Sequence, residues 1–271
     1  MNTLQNLHQH TTFCDGQNTP EEVVLAAIEK GFGAIGFSGH CYMEYAKYYS
    51  MSLESTREYR KEIARLKEKY AEQIDVFCGL EFDLCCPEKP EGYDYVIGSV
   101  HGLRFDGIDY EFDGVVEHFQ KMIDEHFDGN GMAFAKEYYR QLAWLPDYAP
   151  IDIIGHFDLV TKHRDSVNLF DSDSKEYRYA AIEAAEALAG RVPLFEVNTG
   201  AMVRGLRKTP YPDPFIIKEM KRLGFGVVIS SDCHWNEFMT CHFEQSKQLL
   251  RECGYTERYI LTKDGFIPVP L

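Results

Sequence analysis

Two histidines one residue apart, with an acid five residues further on, stand near the start of the chain: His8, His10 and Asp15 in "NLHQHTTFCDG". In a strand, residues i and i+2 project to the same face. His8 and His10 then lie side by side, and Asp15 can fold back from the following loop. Imidazoles and a carboxylate converging in this way begin a site for a divalent cation. A second i, i+2 pair, Asp232 and His234 in "SDCH", lies towards the other end of the chain. Between the two pairs His40, Glu81, His101 and His156 each follow or end an apolar run, whereas His118, His126, His163 and His242 fall in helices or loops. Glu81 and Asp232 are costly to bury among apolar neighbours unless paired or metal-bound. Imidazole and carboxylate donors without a thiolate suit Zn, Mn or Fe. Nine candidate ligands exceed what one ion takes, and suit two or three ions that share carboxylates. Clustered ions neutralise phosphoryl charge and generate hydroxide near neutral pH. No Ser or Cys occupies a recognised nucleophile frame, which favours direct attack by an activated water. Cys14, Cys41 and Cys233 neighbour these ligands and read as small buried hydrophobes.

The elements that must carry these residues alternate. After the opening strand, "TPEEVVLAAIEKG" is a helix with Thr19 as N-cap, Pro20 in the first turn, Glu22 completing a capping box and Gly31 ending it. Apolar strands follow in "FGAIGFSGH", "IDVFCGLEFD", "YDYVIGSVH", "IDIIGHFD", "VPLFEVNTG" and "FGVVISSDCH". Helical segments near residues 54–70, 114–126, 132–145, 174–189 and 214–223 separate them, and a last helix near 240–253 leads to the tail. Seven strands alternating with helices predict a parallel sheet closed, or nearly closed, into a barrel. In such a barrel the C-terminal strand ends share one mouth, where the chemistry sits. An open doubly wound sheet would want a Gly-rich turn after the first strand, and none is there.

Bulk properties narrow the partners. The chain has 271 residues, 45% of them hydrophobic, with no repeat or Pro/Gly/Ser linker, so one domain over 1–271 is expected. A formal charge of −15 repels phosphate backbones and argues against nucleic acid. The polar first ten residues do not resemble a signal peptide, no apolar run is long enough for a bilayer, and the eight cysteines show no C-x-x-C pair. A cytoplasmic protein with reduced thiols is expected, with its oligomeric state open.

The motifs "HQHTTFCD", "GH" at 39–40, "GLEFD" at 79–83, "GSVH" at 98–101, "GHFD" at 155–158 and "SDCH" at 231–234 together resemble the PHP (polymerase and histidinol phosphatase) family, and most of all its histidinol-phosphate phosphatase branch. The resemblance runs in order over nearly the whole chain. It implies an α/β fold, a distorted (β/α)7 TIM-like barrel, with a trinuclear metal site at the C-terminal ends of the strands. By matching motif, His8, His10, Glu81 and Asp232 would hold the first ion. Glu81 would bridge to a second held with His101 and His156, and Asp15, His40 and His234 would hold the third. Glu81, Asp232 and His234 are the candidate catalytic residues. The reaction implied is phosphomonoester hydrolysis by a metal-bridging hydroxide, with L-histidinol phosphate as the small-molecule substrate, in histidine biosynthesis. Nucleotides, nucleic-acid ends or another small phosphate ester are the alternative substrates. Family resemblance also points to basic residues after the fifth and sixth strands as a phosphate clamp, here Arg164, Arg207 and Arg204. Asn198 is assigned to substrate or to supporting a ligand, and Glu196 to supporting one. The tyrosine-rich stretch 40–51 is expected either to wall the mouth or simply to pack onto the barrel.

Overall fold

The computed structural model describes residues 2–271. Seven strands form one parallel sheet: β1 (Gln5–Asn6), β2 (Ala34–Phe37), β3 (Asp75–Asp83), β4 (Tyr95–Ser99), then, after a hairpin of β5 (Gly102–Phe105) and β6 (Ile108–Glu111), β7 (Ile153–Ile154), β8 (Leu194–Asn198) and β9 (Gly226–Ser230). A C-terminal hairpin of β10 (Glu257–Thr262) and β11 (Gly265–Pro270) completes the chain. Strands β2, β4 and β8 are buried along their whole length, as a parallel sheet covered on both faces requires. Helices Pro20–Glu29, Leu53–Lys69, Gly131–Leu142, Lys175–Leu188, Pro214–Arg222 and Phe243–Glu252 alternate with the strands and cover the outside. The first of them carries the expected capping box, Thr19 N donating to Glu22 Oε2 at 2.8 Å and Glu22 N to Thr19 Oγ1 at 3.3 Å.

The barrel is staggered. The first half of β3 pairs with β2, Ala34 opposite Asp75, and its second half pairs with β4, Gly79 opposite Tyr95. Tyr95 fills the barrel interior together with Leu7, Phe77, Ile97, Leu194 and Val228. Gly36 and Gly79 leave room for its ring: a Cβ at Gly79 would lie 2.2 Å from Tyr95 Cζ. The Tyr95 hydroxyl bonds the carbonyls of Leu7 and Phe37, tying β1 and β2 from inside.

Closure between the first and last strands uses little ladder. At the mouth, Gln9 and Cys233 make one parallel bridge, with His10 N donating to Cys233 O at 2.9 Å and Cys233 N to His8 O at 3.1 Å. At the opposite end the C-terminal hairpin plugs the gap. The Gln5 side chain pairs with both backbone groups of Leu261 (2.7 and 2.9 Å), and Leu261 enters the inner core. Neither this hairpin nor β5–β6 was expected from the apolar runs, because each is short and flanked by charge. Both carry an Asp-Gly pair as a local signal: Asp106-Gly107 is the β5–β6 loop itself, and Asp264-Gly265 spans the end of the β10–β11 loop, with Gly265 opposite Thr262. Asp106 and Gly107 both adopt positive φ, 51° and 79°, as a two-residue hairpin loop demands.

Candidate metal centre

All nine candidate ligands meet at the C-terminal mouth. His8 and His10 lie just past β1, on the extended segment that bridges to Cys233. His40 follows β2 and bridges Glu81, which sits inside β3. His101 and His156 each come two residues after their strands, β4 and β7. Asp232 and His234 come after β9, which ends at Ser230. The i, i+2 pair is therefore presented by the segment that bridges to Gln9 through Cys233, with Asp232 at φ 48°, and not by the strand itself.

Glu81 is the hub. It is 1% exposed and faces five imidazoles. His40 Nδ1, His8 Nε2 and His10 Nε2 lie 2.9, 3.2 and 3.5 Å from its Oε2, and His156 Nε2 and His101 Nε2 lie 2.9 and 3.4 Å from its Oε1. Asp232 Oδ1 is 3.2 Å from His10 Nε2, and Asp15 Oδ2 is 3.1 Å from His234 Nε2. The rings of His10 and His234 stack at 4.3 Å. Ligand atoms lie within 4.8 Å of one another in three groups: His8, His10 and Asp232; His40, Glu81 and His101; and His10, Asp15, His40 and His234. The division differs from the motif-based one. His10 also joins the Asp15 group and His40 also joins Glu81, because Glu81 Oε2 projects between the two histidines.

The donor atoms fit metal ions. His8 Nε2, His10 Nε2, His40 Nδ1, Asp15 Oδ1 and Glu81 Oε2 are buried and make no hydrogen bond, although several lie under 4 Å apart. Buried polar atoms rarely stay unpaired. Lone pairs this close that do not address one another converge on shared centres, as ligands do.

Without metal, the same packing distorts the titrations. Burial opposes charge on His101, but Glu81 and Asp83 outweigh it and raise its pKa to about 9. His8 is raised as well, by Glu196, Glu81 and Asp232 against the cost of burial. Burial, with His234 and His40 facing it, lowers His10 to about 3. A histidine whose folded pKa exceeds its unfolded value stabilises the fold fully below the unfolded pKa and loses that contribution as pH rises through the folded one. The metal-free protein is therefore expected to lose several degrees of Tm from pH 6.5 to about 9. The metal-loaded protein, whose ligating imidazoles are already neutral, should show no such loss. Thermal melts with and without chelator check this, and a metal-free Tm that is flat or rising over that range contradicts it.

Behind the candidate ligands lie residues that orient them. Glu196, fully buried on β8, holds His8 Nδ1 at 2.9 Å, accepts from His156 N at 2.8 Å and also bonds Ser230 and Asn198. Such a carboxylate fixes the ring and tautomer of a ligating histidine. Asp83 does the same for His101, 3.1 Å from Nδ1 and accepting from its backbone N at 2.7 Å. Asp83 went unassigned in the sequence, although strand alternation places it on the face of Glu81.

The cavity over this centre is about 300 Å³. Of the three arginines expected to clamp phosphate, only Arg204 lines it, with its Nη2 3.1 Å from Asp232 Oδ2. Arg207 is a correction. It is 3% exposed, with its guanidinium consumed by Asp158 (3.3 Å), Asp213 (3.0 Å) and Thr161 (2.6 Å) and stacked on Tyr211. Arg164 is another: it pairs with Asp213 and borders a separate surface hollow. Asn198, expected at substrate or in support of a ligand, fits the second: it is fully buried and spent on Glu196 Oε1 and Gly200 N, each at 2.8 Å, and does not line the cavity. The basic side chain that does face the cavity from the loop after β7 is Lys162, paired with Asp113 at 2.7 Å. From the tyrosine-rich stretch, Tyr48 and Tyr49 wall the mouth, while Tyr45 packs beneath, 3.3 Å from Asp83. A larger groove, about 760 Å³, between helices Gly131–Leu142 and Lys175–Leu188 holds none of the candidate ligands.

A seven-stranded parallel barrel carrying a histidine and carboxylate cluster at its C-terminal mouth defines a barrel protein built to hold metal ions. Comparison with known proteins gives the family. The PHP domain profile matches residues 6–200, and the chain belongs to the PHP family. The "Probable histidinol-phosphatase" of Deinococcus radiodurans is 30% identical over 94% of this chain and 95% of its own length. The "Histidinol-phosphatase" of Bacillus subtilis is 29% identical over 84% and 92%. Among solved structures, the histidinol phosphate phosphatase of Lactococcus lactis, complexed with zinc, L-histidinol and phosphate, superposes with a TM-score of 0.71 over 98% of this chain and 99% of that one, at 22% identity. At that identity the match establishes the fold, the expected (β/α)7-type barrel. Among the described residues, no helix is long and apolar enough to cross a membrane.

Proposed function

We propose that this chain, as one PHP-type barrel domain over 1–271, is a metal-dependent phosphomonoesterase that hydrolyses L-histidinol phosphate to L-histidinol and phosphate in histidine biosynthesis. The observation that carries the reading is the set of unpaired, buried donor atoms around Glu81 at the mouth of the barrel. The full-length similarity to curated histidinol-phosphatases supports the substrate. His8, His10, Asp232, His40, Glu81, His101, His156, Asp15 and His234 hold two or three ions, Zn, Mn or Fe. Bound there, divalent ions supply a nucleophilic water at neutral pH and neutralise phosphoryl charge.

The remaining roles fall to the protein. Glu81 keeps the imidazoles in register through both carboxylate oxygens. Glu196 and Asp83 hold His8 and His101 in one tautomer each. Arg204 and Lys162 bring two positive charges to the cavity wall, where phosphate oxygens would accept from them at the expense of Asp232 and Asp113. The net charge of −15 and the acids at the mouth make a polyanion a poor occupant. Eight cysteines without a disulfide suit a reducing cytoplasm.

The test is phosphate release from L-histidinol phosphate beside nucleotides, sugar phosphates and an aryl phosphate, with Mn, Zn and Fe each supplied. A preference for histidinol phosphate in kcat/KM is expected. Hydrolysis of the aryl phosphate without that preference keeps the phosphomonoesterase and removes the substrate assignment, and no hydrolysis of any ester removes both.

A further inference from the structure

One acid at the mouth has no counterpart among the groups already assigned. Glu111, the last residue of β6, lines the cavity. Its neighbour Asp113 is neutralised by Lys162. Glu111 accepts only the Tyr48 hydroxyl, and among the described residues no lysine or arginine pairs with it. Tyr48 meets Tyr49 edge to face at 4.9 Å, and Tyr49 in turn meets the candidate ligand His40 at 4.9 Å. The Tyr49 hydroxyl is buried and without a partner. The two tyrosines thus run as a wall from the metal cluster out to Glu111. Arg204 and Lys162 lie on the same cavity and supply its positive charge.

The cavity is therefore bipolar. One part is cationic and suited to phosphate. The other is a carboxylate beside aromatic rings, the combination that receives an ammonium group: the acid supplies charge, and the ring faces and a free phenol oxygen supply the rest. We infer that Glu111, framed by Tyr48 and Tyr49, is a specificity-determining residue that binds the cationic amine of a zwitterionic phosphate monoester. The inference rests on the phosphomonoesterase reading and deepens it, since L-histidinol phosphate carries a primary amine beside its phosphate ester. It would favour the amine-bearing ester over sugar phosphates and nucleotides, which leave the Glu111 charge without a cation and with the Tyr48 hydroxyl as its one donor.

The experiment compares Glu111→Gln with the parent, both loaded with the same metal and checked for equal metal content. Glutamine keeps an acceptor for Tyr48 and removes the charge. The quantity read is the ratio of kcat/KM for L-histidinol phosphate to kcat/KM for phenyl phosphate, which has no amine. The expected result is a fall in that ratio of about 10- to 100-fold, carried mainly by KM for the amine-bearing ester, as loss of a hydrogen bond to a charged group predicts. A ratio that stays within about twofold, whether both activities hold or both fall together, overturns the inference and makes Glu111 a structural residue. A parent enzyme that hydrolyses phenyl phosphate with no preference for the amine-bearing ester overturns it while the phosphomonoesterase stands. A parent that hydrolyses neither overturns both.

Discussion

Replacing Glu81 with alanine is expected to lower kcat/KM by about 10³-fold or more, with loss of bound metal and survival of the fold. Removing a group that merely orients a ligand commonly costs 10- to 100-fold in metal affinity or activity. Glu81 faces His40, His8 and His10 with one oxygen and His156 and His101 with the other, at 2.9 to 3.5 Å. Its deletion reaches every group of candidate ligands at once, including the Asp15 group through His10 and His40. The barrel itself does not depend on this carboxylate, because β3 is held by its ladders to β2 and β4 and by inner packing around Tyr95. Elemental analysis of bound metal, steady-state kinetics and a thermal melt are the three readouts. Full metal content with parental turnover would remove Glu81 from its place as hub. An unfolded variant is met by Glu81→Gln, which keeps the volume and a hydrogen-bonding oxygen and should still lose turnover.

The contrast between what the sequence exposed and what it hid follows from how each residue is constrained. Ligands were legible because a metal site limits residue type and because strand ends limit position. His8 with His10, and Asp232 with His234, advertise a shared face by spacing alone. Glu81 stands out as an acid inside an apolar run. The long elements were legible for a related reason: buried parallel strands and amphipathic helices repeat one pattern over many residues. The hairpins β5–β6 and β10–β11 repeat theirs for only four to six residues per strand, so the Asp-Gly turns were the better signal there. Loop side chains were not legible. Lys162 and Arg164 lie two residues apart in one loop, yet only Lys162 lines the cavity. Arg204 and Arg207 lie three apart, and a short helix of Gly200–Val203 followed by Gly205 at φ 69° turns Arg207 inwards to Asp158 and Asp213. No periodicity marks that turn, and a charged residue is rarely buried, so exposure was the natural expectation for Arg207.

That reversal sets the second large effect. Arg207→Ala is expected to destabilise the protein by about 3–5 kcal/mol, a loss of roughly 6 to 20 °C in Tm for a chain of this size. The cost arises from what stays behind. Asp158 is fully buried; its other contacts are the Asp213 backbone N at 3.1 Å and Thr161, and burial pushes its pKa up even with Arg207 present. Asp213 would keep Arg164 alone. Two neighbouring carboxylates, Asp158 fully buried and Asp213 nearly so, with half their positive charge removed must take up a proton or open the loop to water. The pair stands close to the ligands, since Asp158 follows His156 by two residues and the turn between them is closed by Leu159 N donating to His156 O at 2.8 Å. Loosening it should therefore lower metal occupancy as well. Arg204→Ala, at a side chain 25% exposed and facing the cavity, should do the opposite: raise KM for the phosphate ester with little change in Tm. Melting curves and steady-state kinetics on the two variants side by side decide the matter. A parental Tm with a raised KM in Arg207→Ala would return Arg207 to the phosphate site and show that its buried ion pairs exchange with substrate. A depressed Tm in Arg207→Ala with a raised KM confined to Arg204→Ala would divide the loop after β8 into a structural anchor and a phosphate contact three residues apart.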